Sequence, residues 1–255
     1  MEPGPLHSRL QAGATVYSGW CTMPSAIGAE ALARDGWDAV VVDTQHGLIG
    51  YGDAVPMVQA VQGAGALALL RVPLGDVGFI AKALDLGVDG LICPMINSVE
   101  DAQWLARATR FPPHGERSWG PHRAMLHSGL AGPDYLANGG RCFVWAMIET
   151  AAALDRLDDI LALNAFDGVF VGPNDLCVSL TGGAHVEPGR PEVEAAVDRI
   201  AEKANAHGLV AGIYANTPEL GQGYARRGYR FIAGGSDLSF LRSASRAFRN
   251  SLAGA

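Results

Sequence analysis

Gly36-Trp37-Asp38-Ala39-Val40-Val41-Val42-Asp43 recurs along the chain as Gly87-Val88-Asp89-Gly90-Leu91-Ile92-Cys93-Pro94 and as Ala165-Phe166-Asp167-Gly168-Val169-Phe170-Val171-Gly172. Gly228-Tyr229-Arg230-Phe231-Ile232-Ala233-Gly234 is a looser fourth copy. Each copy reads as a helix stop followed by a short strand. Glycine opens three of the four and suits the left-handed residue that ends a helix. The unbroken apolar run suits a strand buried on both faces.

Outward from these copies lie four more short apolar runs, Val16–Gly19, Ala66–Leu70, Phe143–Ile148 and Leu209–Ile213, making eight strands in all. Helical patterns fill the gaps. Ser98 with Asp101 forms a capping box for Val99–Thr109. Thr217-Pro218 sets a cap and a first-turn proline before Glu219–Arg226. Val193, Val197, Ile200 and Ala204 make one apolar stripe over Pro191–Ala206. Strand and helix alternating eight times imply a parallel sheet, closed as a single-domain (β/α)₈ TIM barrel over residues 1–255. An open doubly wound sheet is the alternative; no GxGxxG follows an early strand, which counts against it. Two long connections, Phe111–Arg141 and Leu176–Arg190, are expected to overhang the barrel mouth as lids or subunit contacts.

Composition agrees with one large folded domain: 255 residues, 49% apolar and 18% charged. A formal charge of −7 argues against nucleic acid or an anionic membrane as partner. No apolar stretch nears the roughly 18 residues of a membrane span. The start, Met1-Glu2-Pro3-Gly4-Pro5, lacks a secretory pattern, and the four dispersed cysteines have no zinc spacing. The expectation is a cytoplasmic protein with free thiols.

Barrel chemistry sits at the carboxyl ends of strands. Those ends read Asp43-Thr44-Gln45-His46, Arg71, Glu149, Gly172-Pro173-Asn174-Asp175 and Gly234-Gly235-Ser236-Asp237. Glu149 and Asp175, one strand apart, can share a hard divalent cation; singly, each can merely cap the next helix. His46 is either a satisfied loop residue or a general base, with Asp43 three residues back to orient its ring. Arg71 either pairs with a carboxylate or stabilises an anion on the substrate. Backbone N–H groups of Asn174 and Asp175 can receive a carboxylate. The Gly235-Ser236 pair resembles a phosphate site only weakly. The two lysines, Lys82 and Lys203, both fall inside helices, so Schiff-base chemistry has no nucleophile.

These segments carry a resemblance to a known family. From about Val16 to Phe248 the chain resembles the class II pyruvate aldolases, which cleave 4-hydroxy-2-oxoheptanedioate and 2-keto-3-deoxy sugar acids. The matching pieces are Asp43-Thr44-Gln45-His46-Gly47, Leu70-Arg71-Val72-Pro73, Leu84-Asp85-Leu86-Gly87, Ile148-Glu149-Thr150 and Gly168 through Leu176. The resemblance implies that Glu149 and Asp175 are metal ligands, for Mg²⁺ or Mn²⁺ with Co²⁺ a further candidate, and that no organic cofactor is needed. It implies that Gly172, Pro173, Asn174 and Asp175 hold the substrate carboxylate, that Arg71 stabilises the enolate, and that His46 is the base. Asp43 and Asp85 would support that histidine, although Asp85 reads as lying near a helix end away from the mouth. A homohexamer, a dimer of trimers, with the last helix (about 237–252) exchanged between subunits, is implied as well.

Two positions depart from the family pattern: Gln45 stands where glutamate is usual, and Met147 where a glutamine contacts the keto acid. Hydroxypyruvate thus joins pyruvate as an expected donor, with an aldehyde as its partner. A metal-bound acyl-CoA-type lyase and a non-catalytic sugar-acid-binding barrel are the rival readings.

Overall fold

The computed structural model describes residues 4–137 and 142–254. Each apolar run becomes a strand: β1 (Val16–Cys21), β2 (Ala39–Asp43), β3 (Leu67–Arg71), β4 (Gly90–Cys93), β5 (Phe143–Ile148), β6 (Gly168–Val171), β7 (Val210–Ala215) and β8 (Phe231–Ser236). All are parallel and neighbours in chain order. The pairing of Val16 with Phe231 and Tyr17 with Ile232 joins β8 to β1, so the sheet is a closed barrel and not an open one.

A short helix α1 (Pro5–Gln11) precedes the barrel, and α2 (Ala26–Arg34), α3 (Tyr51–Gly63), α4 (Val77–Leu86) and α5 (Val99–Thr109) follow the first four strands. Two small helices, α6 (His122–Ser128) and α7 (Gly132–Ala137), lie before β5. After it come α8 (Ala151–Asp155) and α9 (Leu157–Ala162), then α10 (Pro173–Leu180) and α11 (Pro191–Ala206) beyond β6. The circuit ends with α12 (Pro218–Arg226) and α13 (Asp237–Leu252).

The fourfold echo has a physical cause. Gly36, Gly87 and Gly228 have φ of 93°, 79° and 94°, the left-handed stop that a side chain disfavours. In the third copy Asn164, one residue before Ala165, takes that role at φ 47°. The echoed aspartates then lock the preceding strand. Asp38 accepts the Tyr17 N–H (3.0 Å), Asp89 that of Ala68 (2.9 Å) and Asp167 that of Val144 (2.8 Å). Arg230 keeps only the backbone half of this lock, donating its N–H to the Ala211 carbonyl at 2.8 Å, as Asp89 does to Ala68.

Helix ends largely follow their signals. Thr217 accepts the Leu220 N–H, and α11 buries Val193, Val197, Ile200 and Ala204. Ser98 caps α5 by accepting the Asp101 N–H, but Asp101 returns a bond to the N–H of Asn97 and not of Ser98. The Phe111–Arg141 connection is corrected. It joins the end of α5 to the start of β5, so it lies at the amino-terminal end of the barrel, away from the mouth. There α6 packs on α4; residues 138–141 lie outside the described residues. The second connection is helical at first, through Leu180, and its remainder leads to the start of α11.

Inside the barrel, alternate residues of each strand form one packed column. Trp145 fills the axis because Gly168 and Gly212 flank it: a Cβ on either would lie 2.6 Å or 3.0 Å from the indole. Below, Leu6 and Leu10 of α1 join this inner core and plug the lower end. Among the described residues no helix is long and apolar enough to cross a membrane, and the four cysteines are unpaired.

Candidate active site

The alternation that points Ala39 and Val41 into the barrel continues to Asp43. In the same way Leu67 and Leu69 lead to Arg71, and Trp145 and Met147 to Glu149. The candidate residues are thus the top rung of the inner columns, at the carboxyl ends of their strands. Asp43 and Arg71 line a cavity of about 320 Å³ whose wall also includes His46, Met147, Gly172, Pro173, Asn174 and Asp175, and Glu149 lies against Gly172 of that wall.

Asp43 is almost fully buried and grips Arg71 with both oxygens, Oδ1 accepting from Nε at 2.9 Å and Oδ2 from Nη2. Trp20 donates its indole N–H to Oδ2 (3.2 Å), and the Arg71 guanidinium lies 5.0 Å above the same indole ring. Burial pushes the Asp43 carboxyl up, but the bonds and charge of Arg71, with the His46 and Trp20 N–H groups, outweigh it and hold Asp43 below its ordinary range. Arg71 therefore does both things open to it: it pairs with a carboxylate, and it still faces the cavity.

His46 is exposed at the rim. The support expected from Asp43 takes another form, since Oδ1 accepts the backbone N–H groups of Gln45 (3.0 Å) and His46 (3.2 Å). Asp43 shapes the turn that carries the histidine, while its acceptor capacity goes to Arg71 and Trp20 and not to the imidazole ring.

Glu149 is buried, and its Oε1 accepts the Met95 N–H at 2.8 Å. Met95 adopts φ 58°, uncommon for a residue with a side chain, to aim that N–H. Burial and the charge of Asp175 push Glu149 up to about 7, against the Met95 bond and Arg71. Asp175 sits in the first turn of α10. Thr150, not Glu149, caps the following helix, so Glu149 is not there as a helix cap. The other oxygen, Oε2, lies 2.7 Å from where a Cβ on Gly172 would be, so a side chain there would displace that oxygen. Two neighbouring carboxylates that repel each other, one held with an oxygen free, form a donor set that fits a hard divalent cation. In α10 the first backbone bond runs from Leu176 N–H to Gly172, leaving the Asn174 and Asp175 N–H groups ahead of it as donors.

Asp85 is not brought to this cluster within the chain. It ends α4, which runs back from the catalytic end, and it pairs with Arg117 at 2.9 Å. Lys82 and Lys203 lie in α4 and α11, as expected. Ser236 caps α13 and reaches the cavity wall. Trp20, Thr22, Phe170 and Tyr214 also line the cavity and were not singled out in the sequence. Extending the first and seventh strands to Cys21 and Ala215 and counting inward positions by twos would have found Trp20 and Tyr214.

The comparisons with known proteins give the family and the fold. The profile of the HpcH/HpaI aldolase/citrate lyase family matches residues 19–244. A hydroxypyruvate/pyruvate aldolase of Rhizorhabdus wittichii is 38% identical, over 92% of this chain and 92% of its own length. A 5-keto-4-deoxy-D-glucarate aldolase of an Enterobacter species is 32% identical over 98% of this chain and 96% of its own length. A solved family structure from Burkholderia cenocepacia superposes with TM-score 0.88 at 29% identity, covering 98% of this chain and 99% of its own. With its closed barrel, its rim of carboxylates and its near-complete match, the chain belongs to the HpcH/HpaI aldolase/citrate lyase family of carbon–carbon lyases.

Proposed function

We propose that this protein is a divalent-metal-dependent aldolase that cleaves and forms 4-hydroxy-2-keto acids, with pyruvate or hydroxypyruvate as donor and an aldehyde as acceptor. The observation that carries the reading is Arg71, fixed by the buried Asp43 and turned toward a cavity that Asp175 lines, with Glu149 against Gly172 of the same wall. A divalent cation held by Glu149 and Asp175 (Mg²⁺, Mn²⁺ or Co²⁺) would polarise the keto acid as a Lewis acid. The chain's own groups do the rest. The Asn174 and Asp175 N–H groups hold the substrate carboxylate. In cleavage His46 takes the 4-hydroxyl proton, the C3–C4 bond breaks, and Arg71 faces the oxygen of the enolate that forms. Met147 and Phe170 line the cavity as apolar groups where the donor carbon chain would lie.

The names of the relatives support the donor class, and Met147 in place of a polar residue supports a donor other than pyruvate alone. Assembly as a hexamer with α13 exchanged is part of the proposal. That helix buries none of its residues and leaves Phe248 70% and Leu252 76% exposed, which supports a partner subunit covering it. The test is turnover of pyruvate and hydroxypyruvate with a series of aldehydes, with Mg²⁺ and in excess chelator. Activity restored by the cation after chelation is expected; full activity in chelator would remove the metal from the mechanism.

A further inference from the structure

Cleavage needs two proton movements at different atoms. One leaves the 4-hydroxyl; the other must reach C3 of the enolate before the free keto acid can depart. His46, at the rim three residues beyond Asp43, is placed for the first. Tyr214 offers a group for the second. In β7 the inward column runs Val210, Gly212, Tyr214, which places the phenol in the cavity wall, edge-on to Trp20 at 5.4 Å between centroids and 84° between planes.

The hydroxyls around it differ in how far they are committed. Thr22 donates to Asp237 at 2.8 Å, and Thr44 donates to the Arg71 carbonyl at 2.6 Å. The Trp20 N–H is held by Asp43. Ser236, in the same wall, accepts the Ser239 N–H as the cap of α13. Among the described residues no group hydrogen bonds to the Tyr214 hydroxyl. Its surroundings suit a proton donor. Burial raises this phenol above its ordinary range, with Arg71 acting against it and Asp43 with it, so it is neutral before transfer and has a cation near it afterwards.

We propose that Tyr214 is a further catalytic residue, giving its phenolic proton to C3 of the donor enolate. This rests on the aldolase reading above. The O–H bond of Tyr214 breaks and a C–H bond forms at C3 with the electron pair of the enolate double bond, restoring the carbonyl. The phenolate left beside Arg71 regains a proton through water at the cavity mouth, and protonated His46 returns one to the same water. In aldol addition the phenolate removes the C3 proton and His46 supplies the hydroxyl proton.

Tyr214→Phe keeps the ring on Trp20 and removes only the oxygen. The measurement is exchange of the methyl protons of pyruvate in D₂O with Mg²⁺, followed by NMR, relative to first-turnover CO₂ release from oxaloacetate. Loss of CO₂ forms the same enolate without the phenol, so the ratio of exchange to CO₂ release is expected to fall about 10²-fold in Tyr214→Phe. With 2-oxobutyrate as donor, the parent protein should exchange one of the two C3 hydrogens selectively, and Tyr214→Phe should lose that preference. A ratio within about twofold of the parent, or exchange that survives Tyr214→Phe and disappears in His46→Ala, would overturn the assignment to Tyr214. A parent protein that neither exchanges pyruvate nor releases CO₂ in Mg²⁺ would overturn the aldolase reading itself, and the proposal with it.

Discussion

Two arginine–aspartate pairs, each topped by an aromatic ring, sit at opposite ends of the barrel and are put to opposite uses. At the mouth, Arg71 pairs with Asp43 and lies over Trp20. At the amino-terminal end, Arg117 pairs with Asp85 and lies 4.3 Å from the Phe111 ring centre. The exposures are inverted. Asp43 is 2% exposed and Arg71 11%, whereas Asp85 is 27% exposed and Arg117 1%. At the mouth the carboxylate is hidden and serves to present the guanidinium. At the other end the guanidinium is hidden, tying the 111–119 segment to α4. Chemical type is the same in both; which partner reaches the open side decides the role.

The largest effects expected are at the mouth. His46→Ala should lose aldol cleavage by about 10²–10⁴-fold and keep most oxaloacetate decarboxylation, since no hydroxyl proton moves in that reaction. Arg71→Ala should lose both by about 10²–10³-fold per folded molecule, because the enolate is common to both. The two rates are compared after subtracting metal-ion background. Equal loss of both in His46→Ala would remove that residue as the base. Arg117→Ala should instead cost about 1–3 kcal/mol of stability, read by denaturant unfolding, because it removes a buried side chain from the Phe111 ring and from Asp85. A lower kcat per folded molecule would break the contrast between the two ends.

Glu149 sharpens the comparison by pH. Between the ordinary carboxylate range and about 7, native Glu149 holds a proton that the unfolded chain has lost. Stability of the metal-free protein should therefore fall as pH rises through that window and level off above it. Glu149→Gln should flatten the slope. Cation affinity, measured by calorimetry, should weaken below pH 7 as the proton competes. The smallest effect concerns Met147→Gln, which restores a polar contact and should shift the pyruvate-to-hydroxypyruvate ratio of kcat/KM several-fold toward pyruvate. An unchanged ratio would mean that this position does not choose the donor.

The barrel was legible because its punctuation is chemical: Gly36, Gly87 and Gly228 mark left-handed stops, and Thr217-Pro218 marks a helix start. Asp43, Arg71, Glu149 and Asp175 were legible because polar residues ending apolar runs stand out. Trp20 and Tyr214 were not. A strand buried on both faces carries no polar alternation to mark its end, and the runs were stopped at Gly19 and Ile213, one residue short of each. Closeness in sequence also misled at Asp43, since three residues of separation suit a backbone bond as well as a ring bond. The Phe111–Arg141 segment was misplaced because its length reads as a lid, while its position after a helix assigns it to the other end.

The plug made by Leu6 and Leu10 has a kinetic consequence. A barrel stopped at one end gives its cavity a single door, and molecules that share it must queue. On the proposed reading the keto acid lies innermost and the aldehyde stands between it and the solvent. The donor then enters first in synthesis and leaves last in cleavage. Product inhibition takes a fixed form: pyruvate competes with the 4-hydroxy-2-keto acid for the empty enzyme, whereas the aldehyde inhibits noncompetitively.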